Sequence, residues 1–449
     1  MPVSPARAAA FQILMRADRD QSFASELLHS DRNAQLSSTD HGLATELVMG
    51  VLRWRSILDQ KLAAASSQPL PRLDLEVLTA LRLGVYQLLF LSRVPAHAAI
   101  FESVEIVKTA RKRSAASFVN AVLRKIGTTH VPDTATEIQI APDATTLSAT
   151  SAHPDWLVER WAHRYSLTTV RRICLHNQTI PPTAIRVQDD QTANELAQGG
   201  IQLSPGLLLA DARRVQSGDL SKTEAYRDGR AFIQDEASQL VALLLGRGQK
   251  ILDCCAAPGS KTALLARENP RAQVIATDLH PHRVRLLREL SRNSRVQVLA
   301  ADARNPPFLA GFDRILADVP CSGTGTLARN PEIKWRLTPG DLLDLQSRQI
   351  AILKSALALL APGGRLIYST CSLEREENED VVSAALTGAA GFSLVDCRQE
   401  LGHLQRSGEL IWKDTDSLLS GPYLRTIPGV HPCDGFFAAL IERPASQGF

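Results

Sequence analysis

The chain has 449 residues, 44% hydrophobic and 22% charged, with a formal net charge of +3. This length predicts two or three domains, and no apolar run reaches membrane-spanning length, since Arg82 and Lys354 interrupt the longest two. Seven cysteines, odd in number and without a Cys-x-x-Cys pair, argue against a disulfide framework and a zinc knuckle, so no metal is expected.

The amino terminus, "MPVSPARAAAFQILMRADRD", lacks the long apolar stretch and small-residue cleavage site of a signal peptide. It predicts a helix with Ser4 as N-cap and Pro5 in the first turn, and a cytoplasmic protein. Helical spacing of apolar residues continues through 39–66, 72–92 and 95–113, and "SFVNAVLRKI" closes the run before Gly127. Residues 1–127 therefore predict an all-α bundle. Residues 1–126 hold 16 Lys and Arg against 11 Asp and Glu, so the basic excess is local. It concentrates in Lys108, Arg111, Lys112, Arg113, Arg124 and Lys125. Such a cluster is either a solvated helix face or a set of phosphate contacts, which give affinity without sequence information. Residues 128–150 lack Lys and Arg, are rich in Thr, Ala, Pro and Asp, and are expected to be a linker. A small α+β module is expected over 151–235, with a helix at 153–165 and a strand at 182–188.

From about 236 strands and helices alternate. Strands are expected at 250–257, 272–279, 296–303, 312–320, 364–371 and 435–443. This rhythm predicts an α/β doubly wound sheet with ligands at the carboxyl ends of its strands. The first strand turns into a helix through "DCCAAPGSKT" (253–262). Neither the dinucleotide G-x-G-x-x-G nor the P-loop pattern is present, which leaves S-adenosylmethionine as the cofactor such a turn would hold. Asp278, Asp302 and Asp318 close successive strands. Each alone reads best as a helix cap, and the three together as a ligand site. Cys321 and Cys371 also fall at strand ends, where Pro320 stops one ladder and "SLEREENE" follows the other. Either thiol alone reads as a core filler, as do Cys174, Cys254, Cys255, Cys397 and Cys433. As a pair at a crevice rim they suit covalent catalysis. A thiolate adds to C6 of a cytosine, C5 then accepts a methyl group, and a base removes the C5 proton. Asp318 is placed to bond the ring N3 edge.

"DCCAAPGSKT", "ATDLHPHR", "DVPCSGTGTLARNPEIKWRL" and "PGGRLIYSTCSLEREENE" together resemble the two-cysteine RNA 5-methylcytosine methyltransferases. "VPAHAAIFESVEIVK" and "SFVNAVLR" are similar to the NusB-like RNA-binding domain of one branch. The resemblance implies a NusB-like bundle, a small RNA-binding extension and a class I Rossmann-like methyltransferase domain from 236 to the end. It implies Cys371 as nucleophile and Cys321 as the thiol that assists product release; the residues alone leave that choice open. It implies a cofactor loop of Cys255, Ala256, Ala257, Pro258, Gly259, Ser260 and Lys261 with Asp278, Asp302 and Asp318. It further implies 16S ribosomal RNA as partner, with cytosine 967 in the usual rRNA count as target. Apart from the resemblance, a monomer away from membranes is expected. Ser260 departs from the family's usual second glycine, which leaves the loop's shape open. Two rivals stand beside this reading: an amino-group methyltransferase needing no cysteine, and a non-enzymatic RNA-binding assembly factor. The position "DVPC" lacks the Asn/Asp-Pro-Pro-aromatic turn of many amino-group enzymes.

Overall fold

The computed structural model describes residues 3–445 apart from 21, 31, 32, 34, 128–132 and 291–294. The chain forms two compact units, residues 1–180 with 327–337, and residues 181–326 with 338–449.

The first unit is helical. Pro5–Asp20, Ser38–Ala65, Leu75–Phe90, Ala96–Thr109 and Ala116–Ile126 match the expected helices. Ser4 sits at the first of them, where both its N–H and its hydroxyl donate to the Glu102 carboxylate, at 2.9 and 2.7 Å. Leu47, Leu58, Leu62, Leu81, Leu83, Val107 and Leu123 fill one continuous core. The expected linker carries two further helices, Thr134–Ile140 and Ala144–Ser151. Asp133 and Asp143 cap them by accepting the N–H groups of Thr136 and Thr146. The Thr-, Pro- and Asp-rich composition that suggested a linker concealed them, since such residues favour caps and turns over helix interiors. Residues 128–132 lie outside the described residues.

The small module expected from 151 divides between the units. Helices Asp155–Arg164 and Leu167–Asn177 bury Leu157, Val158, Trp161, Ile173 and Cys174 within the helical unit. Residues 327–337 join them there. Lys334 is fully buried and donates to the carbonyls of Arg53 and Ala152 at 2.7 and 2.8 Å. Half-buried Trp335 donates its indole N–H to the Leu52 carbonyl at 2.6 Å. Glu332 accepts the N–H of Ala24 at 2.9 Å, which caps the short helix Ala24–Leu28 from outside.

The second unit holds two sheets. The smaller has strands β1 (Thr183–Val187), β2 (Gln202–Pro205), β3 (Ala212–Ser217) and β4 (Ala231–Ile233) in the order β2-β3-β1-β4, all antiparallel. The larger contains β5 (Lys250–Asp253), β6 (Gln273–Asp278), β7 (Val296–Ala300), β8 (Phe312–Asp318) and β9 (Leu360–Thr370). It continues with β10 (Ser393–Val395), β11 (Leu419–Ser420), β12 (Tyr423–Arg425) and β13 (Phe437–Glu442). Its order is β11-β12-β13-β9-β8-β5-β6-β7, with β10 also paired to β13. The run β9-β8-β5-β6-β7 is parallel, while β13 lies antiparallel against β9. The sheet is therefore mixed. The strand order reverses at β5, so β5 and β8 part their connections and open a crevice beyond their carboxyl ends. Helix Glu236–Leu244 ties the sheets together, its Leu240, Val241 and Leu244 sharing a core with Phe232, Ile251 and Ile367.

Candidate active site

The carboxyl ends of β5, β6 and β8, with the turn after β9, border a cavity of about 500 Å³. Such a volume is ordinary for a small-molecule site. Cys255, Ala257, Asp278, Asp302, Asp318, Cys321 and Cys371 line it, so the expected carboxylates and both thiols converge. A second cavity, of about 670 Å³, lies at the starts of β6 and β7, lined by Arg267, Arg271 and Arg295 without cysteine.

The loop after β5 is pinned on both sides. Cys254 N–H donates to Leu316 of β8 at 2.9 Å, and Ala256 N–H to Thr277 of β6 at 2.8 Å. Gly259 takes a φ of 123°, a conformation that side chains resist, and the helix Ser260–Glu268 begins at the next residue. Ser260 is thus helical and needs no glycine freedom: Arg111 and Ala152 are the only non-glycine residues with positive φ among those described. Of the expected loop, Cys255 and Ala257 face the cavity, while Ala256, Pro258, Gly259, Ser260 and Lys261 are not among its lining. Cys254 lines it too, so neither Cys254 nor Cys255 is merely a core filler. Burial pushes the thiols of both upward.

Asp278 is buried at the end of β6 and accepts the His280 N–H at 3.1 Å. Asp302 stands two residues beyond β7 and is gripped by Arg304, Nη2 to Oδ2 at 2.7 Å, which lowers its pKa. Asp318 accepts from Ser369 Oγ at 2.7 Å and from Lys261 Nζ at 2.7 Å. Burial disfavours the Lys261 ammonium, but Asp318 and Cys371 outweigh it and leave the pKa above its ordinary value. Lys261 Nζ also lies 5.0 Å from the Phe436 ring centroid.

The sulfur atoms of Cys321 and Cys371 are 3.3 Å apart. That contact and burial raise the Cys321 thiol well above its usual range. Backbone fixes their approach. Gly325 N–H donates to the Cys371 carbonyl at 2.9 Å, and Gly435 N–H to the Gly325 carbonyl at 2.8 Å. A Cβ on Gly325 would meet the Gly435 carbonyl oxygen at 2.2 Å, so only glycine fits there. Three polar residues outside the expected set complete the surroundings. Glu377 and Gln349 sit behind the two thiol loops, and buried Asp253 accepts from Thr262 Oγ1 at 2.7 Å. Burial raises Asp253 to about 7. An acidic residue that ends a strand was the available signal for Asp253; the fold alone exposes Glu377.

The expected basic residues lie in the helical unit and are not equivalent. Lys108 pairs with Glu105 at 2.7 Å and Lys112 with Asp74 at 2.8 Å. Arg124 donates to Asn120 Oδ1 at 3.2 Å, and Lys125 reaches the Ala64 carbonyl at 3.3 Å. Arg111 and Arg113 are exposed, with no charged partner among the described residues. Among those residues no cluster of metal-ligating side chains occurs, and no helix is long and apolar enough to cross a membrane.

Family comparisons agree with this architecture. The model for 16S rRNA methyltransferase RsmB/F matches residues 240–442, that for the NusB family 4–128, and the RsmF/B-like ferredoxin-like domain 153–218. These define the class: an RNA methyltransferase with a NusB-like amino-terminal bundle. Probable ribosomal RNA small subunit methyltransferase B of Bacillus subtilis strain 168 is 35% identical, covering 99% of this chain and all of its own. The corresponding Pseudomonas putida protein is 34% identical over 94% of this chain and 95% of its own. The chain belongs to the ribosomal RNA small subunit methyltransferase B family. The crystal structure of PH0851 shares the fold, with a TM-score of 0.79 over 99% of this chain and all of its own at 22% identity. NSun6 from Pyrococcus horikoshii with SFG shares it over 65% of this chain and 99% of its own, at a TM-score of 0.56 and 20% identity.

Proposed function

We propose that the enzyme methylates C5 of a cytosine in 16S ribosomal RNA, position 967 by family resemblance, through a thioether to Cys371. The carrying observation is the 3.3 Å approach of two thiols in a cavity that also gathers Asp278, Asp302 and Asp318. An amino-group methyltransferase has no use for that pair.

S-adenosylmethionine supplies an electrophilic methyl group when bound. The donor set suits it: buried Asp278 has lone pairs left for ribose hydroxyls, and Ala257, Leu279, Ala301 and Ala303 add apolar lining for an adenine ring. Asp302, held by Arg304, is a fixed acceptor for an amino group. Cys371 attacks C6 as thiolate. The addition places negative charge on the ring; N3 takes up a proton and donates it in a hydrogen bond to the Asp318 carboxylate, which Ser369 and Lys261 orient. C5 takes the methyl group. A base then removes the C5 proton, the C5–C6 double bond returns, and the Cys371 thiolate leaves. Cys321 stays protonated beside it and supports that departure.

Bisulfite sequencing of 16S rRNA, incubated with S-adenosylmethionine with and without the protein, tests this reading. One newly protected cytosine is expected. Methyl incorporation without a protected cytosine would favour an amino-group reaction, and no incorporation would favour an assembly factor.

A further inference from the structure

The two cysteines stand on separate loops, fifty residues apart in sequence, and a 3.3 Å sulfur contact between such loops needs something to set it. Behind them lies the side chain of Glu377, fully buried, with no cation paired to it among the described residues. Its carboxylate accepts from both loops at once. Oε1 receives the N–H of Ser322, next to Cys321, at 2.8 Å. Oε2 receives the hydroxyl of Ser322 and, at 2.5 Å, that of Ser372, next to Cys371. Gln349, from the helix Pro339–Leu359, adds a bond to Oε1 at 2.9 Å and holds the Pro320 carbonyl at 2.9 Å. The Glu377 backbone is fixed as well, since Tyr368 of β9 donates to its carbonyl at 2.6 Å.

We propose that Glu377 is the positioning residue that holds the Cys321 and Cys371 loops in register, bridging Ser322 to Ser372. The proposal rests on the reading of the cavity as a two-thiol methylation site, and names what that site needs to work. A buried carboxylate is an expensive bridge, because burial opposes its charge; its donors offset that cost only when both loops are in place. The bridge is therefore all-or-none. With it, Cys321 stands beside Cys371 before RNA arrives, and the adduct finds its release partner already positioned. Without it, the loops keep the Gly325 contact, the Leu373 N–H bond to Thr324 Oγ1 at 2.9 Å and the Gln349 bond to Pro320, but nothing joins the residues next to the two thiols through a common acceptor. Glutamine has nearly the same shape and can keep four hydrogen bonds if the serine hydroxyls turn to accept, so it should preserve the register. Alanine cannot.

Two readouts test this. The first needs no RNA. Diamide takes one hydrogen from each thiol with two electrons and becomes a hydrazine, leaving a Cys321–Cys371 disulfide that peptide mass identifies. In Glu377→Ala its formation should slow at least tenfold, and in Glu377→Gln remain within threefold of the parent. The second is methyl transfer: Glu377→Ala should lose at least tenfold in kcat with the KM for S-adenosylmethionine within twofold. Rates are taken per folded molecule, from thermal melts. Should Glu377→Ala not fold, Ser322→Ala with Ser372→Ala removes the bridge from its other side and should slow both reactions. Coupling and kcat within twofold of the parent in the folded bridge-less variant would overturn the proposal. So would a Glu377→Gln variant as slow as Glu377→Ala, since charge and not register would then be at work. If the parent itself methylates no cytosine, the functional reading fails while disulfide formation still decides the bridge.

Discussion

At the residue scale, the two thiols invite different outcomes from the same substitution. Cys371→Ala should methylate nothing and form no covalent RNA complex. Cys321→Ala should still attack and transfer, then stall with RNA bound to Cys371, giving a slow band on a denaturing gel with target RNA and cofactor. The reverse pattern would exchange the roles. Asp253 carries a second prediction, about stability. Burial raises its carboxyl from 3.8 to about 7, with only the Thr262 hydroxyl to favour the anion strongly. Between those pH values the folded protein keeps a proton that the unfolded chain has lost. The stability this contributes is complete below pH ~4 and is lost as pH rises through 7. At ~1.4 kcal/mol per pH unit the span is of the order of 4 kcal/mol. Asp253→Asn cannot ionise and its amide oxygen still accepts from Thr262, so urea unfolding at pH 5 and pH 8 should differ less than in the parent. An equal pH slope in the two proteins would remove Asp253 as its source.

At the element scale, the loop after β5 shows what a sequence displays and what it withholds. Strand ends Asp278 and Asp318 were legible because alternating strands and helices, read with their last residues, locate a crevice. Cys321 and Cys371 were legible from Pro320 and the polar run after Cys371. Ser260 was not, because a pattern of residue types does not reveal which position in a turn carries positive φ. The structure gives that conformation to Gly259 and starts the helix at Ser260. Ser260→Gly should accordingly leave S-adenosylmethionine affinity within twofold by calorimetry and cost no more than ~1 kcal/mol of stability. A larger change in affinity would mean the hydroxyl itself touches the cofactor. The strands β2, β3, β4, β10, β11 and β12 span six residues at most and escaped notice because such segments have too few alternations to register. The Glu377 bridge escaped for another reason: Ser372 is close in sequence, but Ser322 and Gln349 are distant and reach Glu377 only through the packing of β8, β9 and the helix Pro339–Leu359.

At the scale of the whole molecule, the cavity with its thiols and carboxylates lies in one unit and the basic cluster in the other. The six basic residues drawn from the sequence would contribute equally if charge were all that mattered. Their settings separate them. Lys108 and Lys112 would have to leave Glu105 and Asp74 to reach a phosphate, whereas Arg111 and Arg113 are exposed without a charged partner among the described residues. Arg111 is distinct in another way. It follows the helix Ala96–Thr109 at a φ of 63°, in a turn where its own N–H donates to the Lys108 carbonyl at 3.1 Å and the Lys112 N–H to the Val107 carbonyl at 2.8 Å. Glycine is the usual occupant of that position, and a side chain there costs roughly 1 kcal/mol. A strained arginine there motivates a test of whether its side chain contacts RNA. Arg111→Gly should therefore raise thermal stability, by about 0.5–1 kcal/mol, while weakening RNA binding. Its log–log salt slope should fall by roughly 0.7–0.9, the value of one lost phosphate contact. Lys108→Ala, whose cation is already paired, should change that slope less. Binding of 16S rRNA fragments across a salt series, with melts of the same proteins, reads both quantities together. Gained stability with an unchanged slope would leave Arg111 a poorly chosen cap on a solvated helix, and the basic cluster would lose its strongest claim to contact RNA.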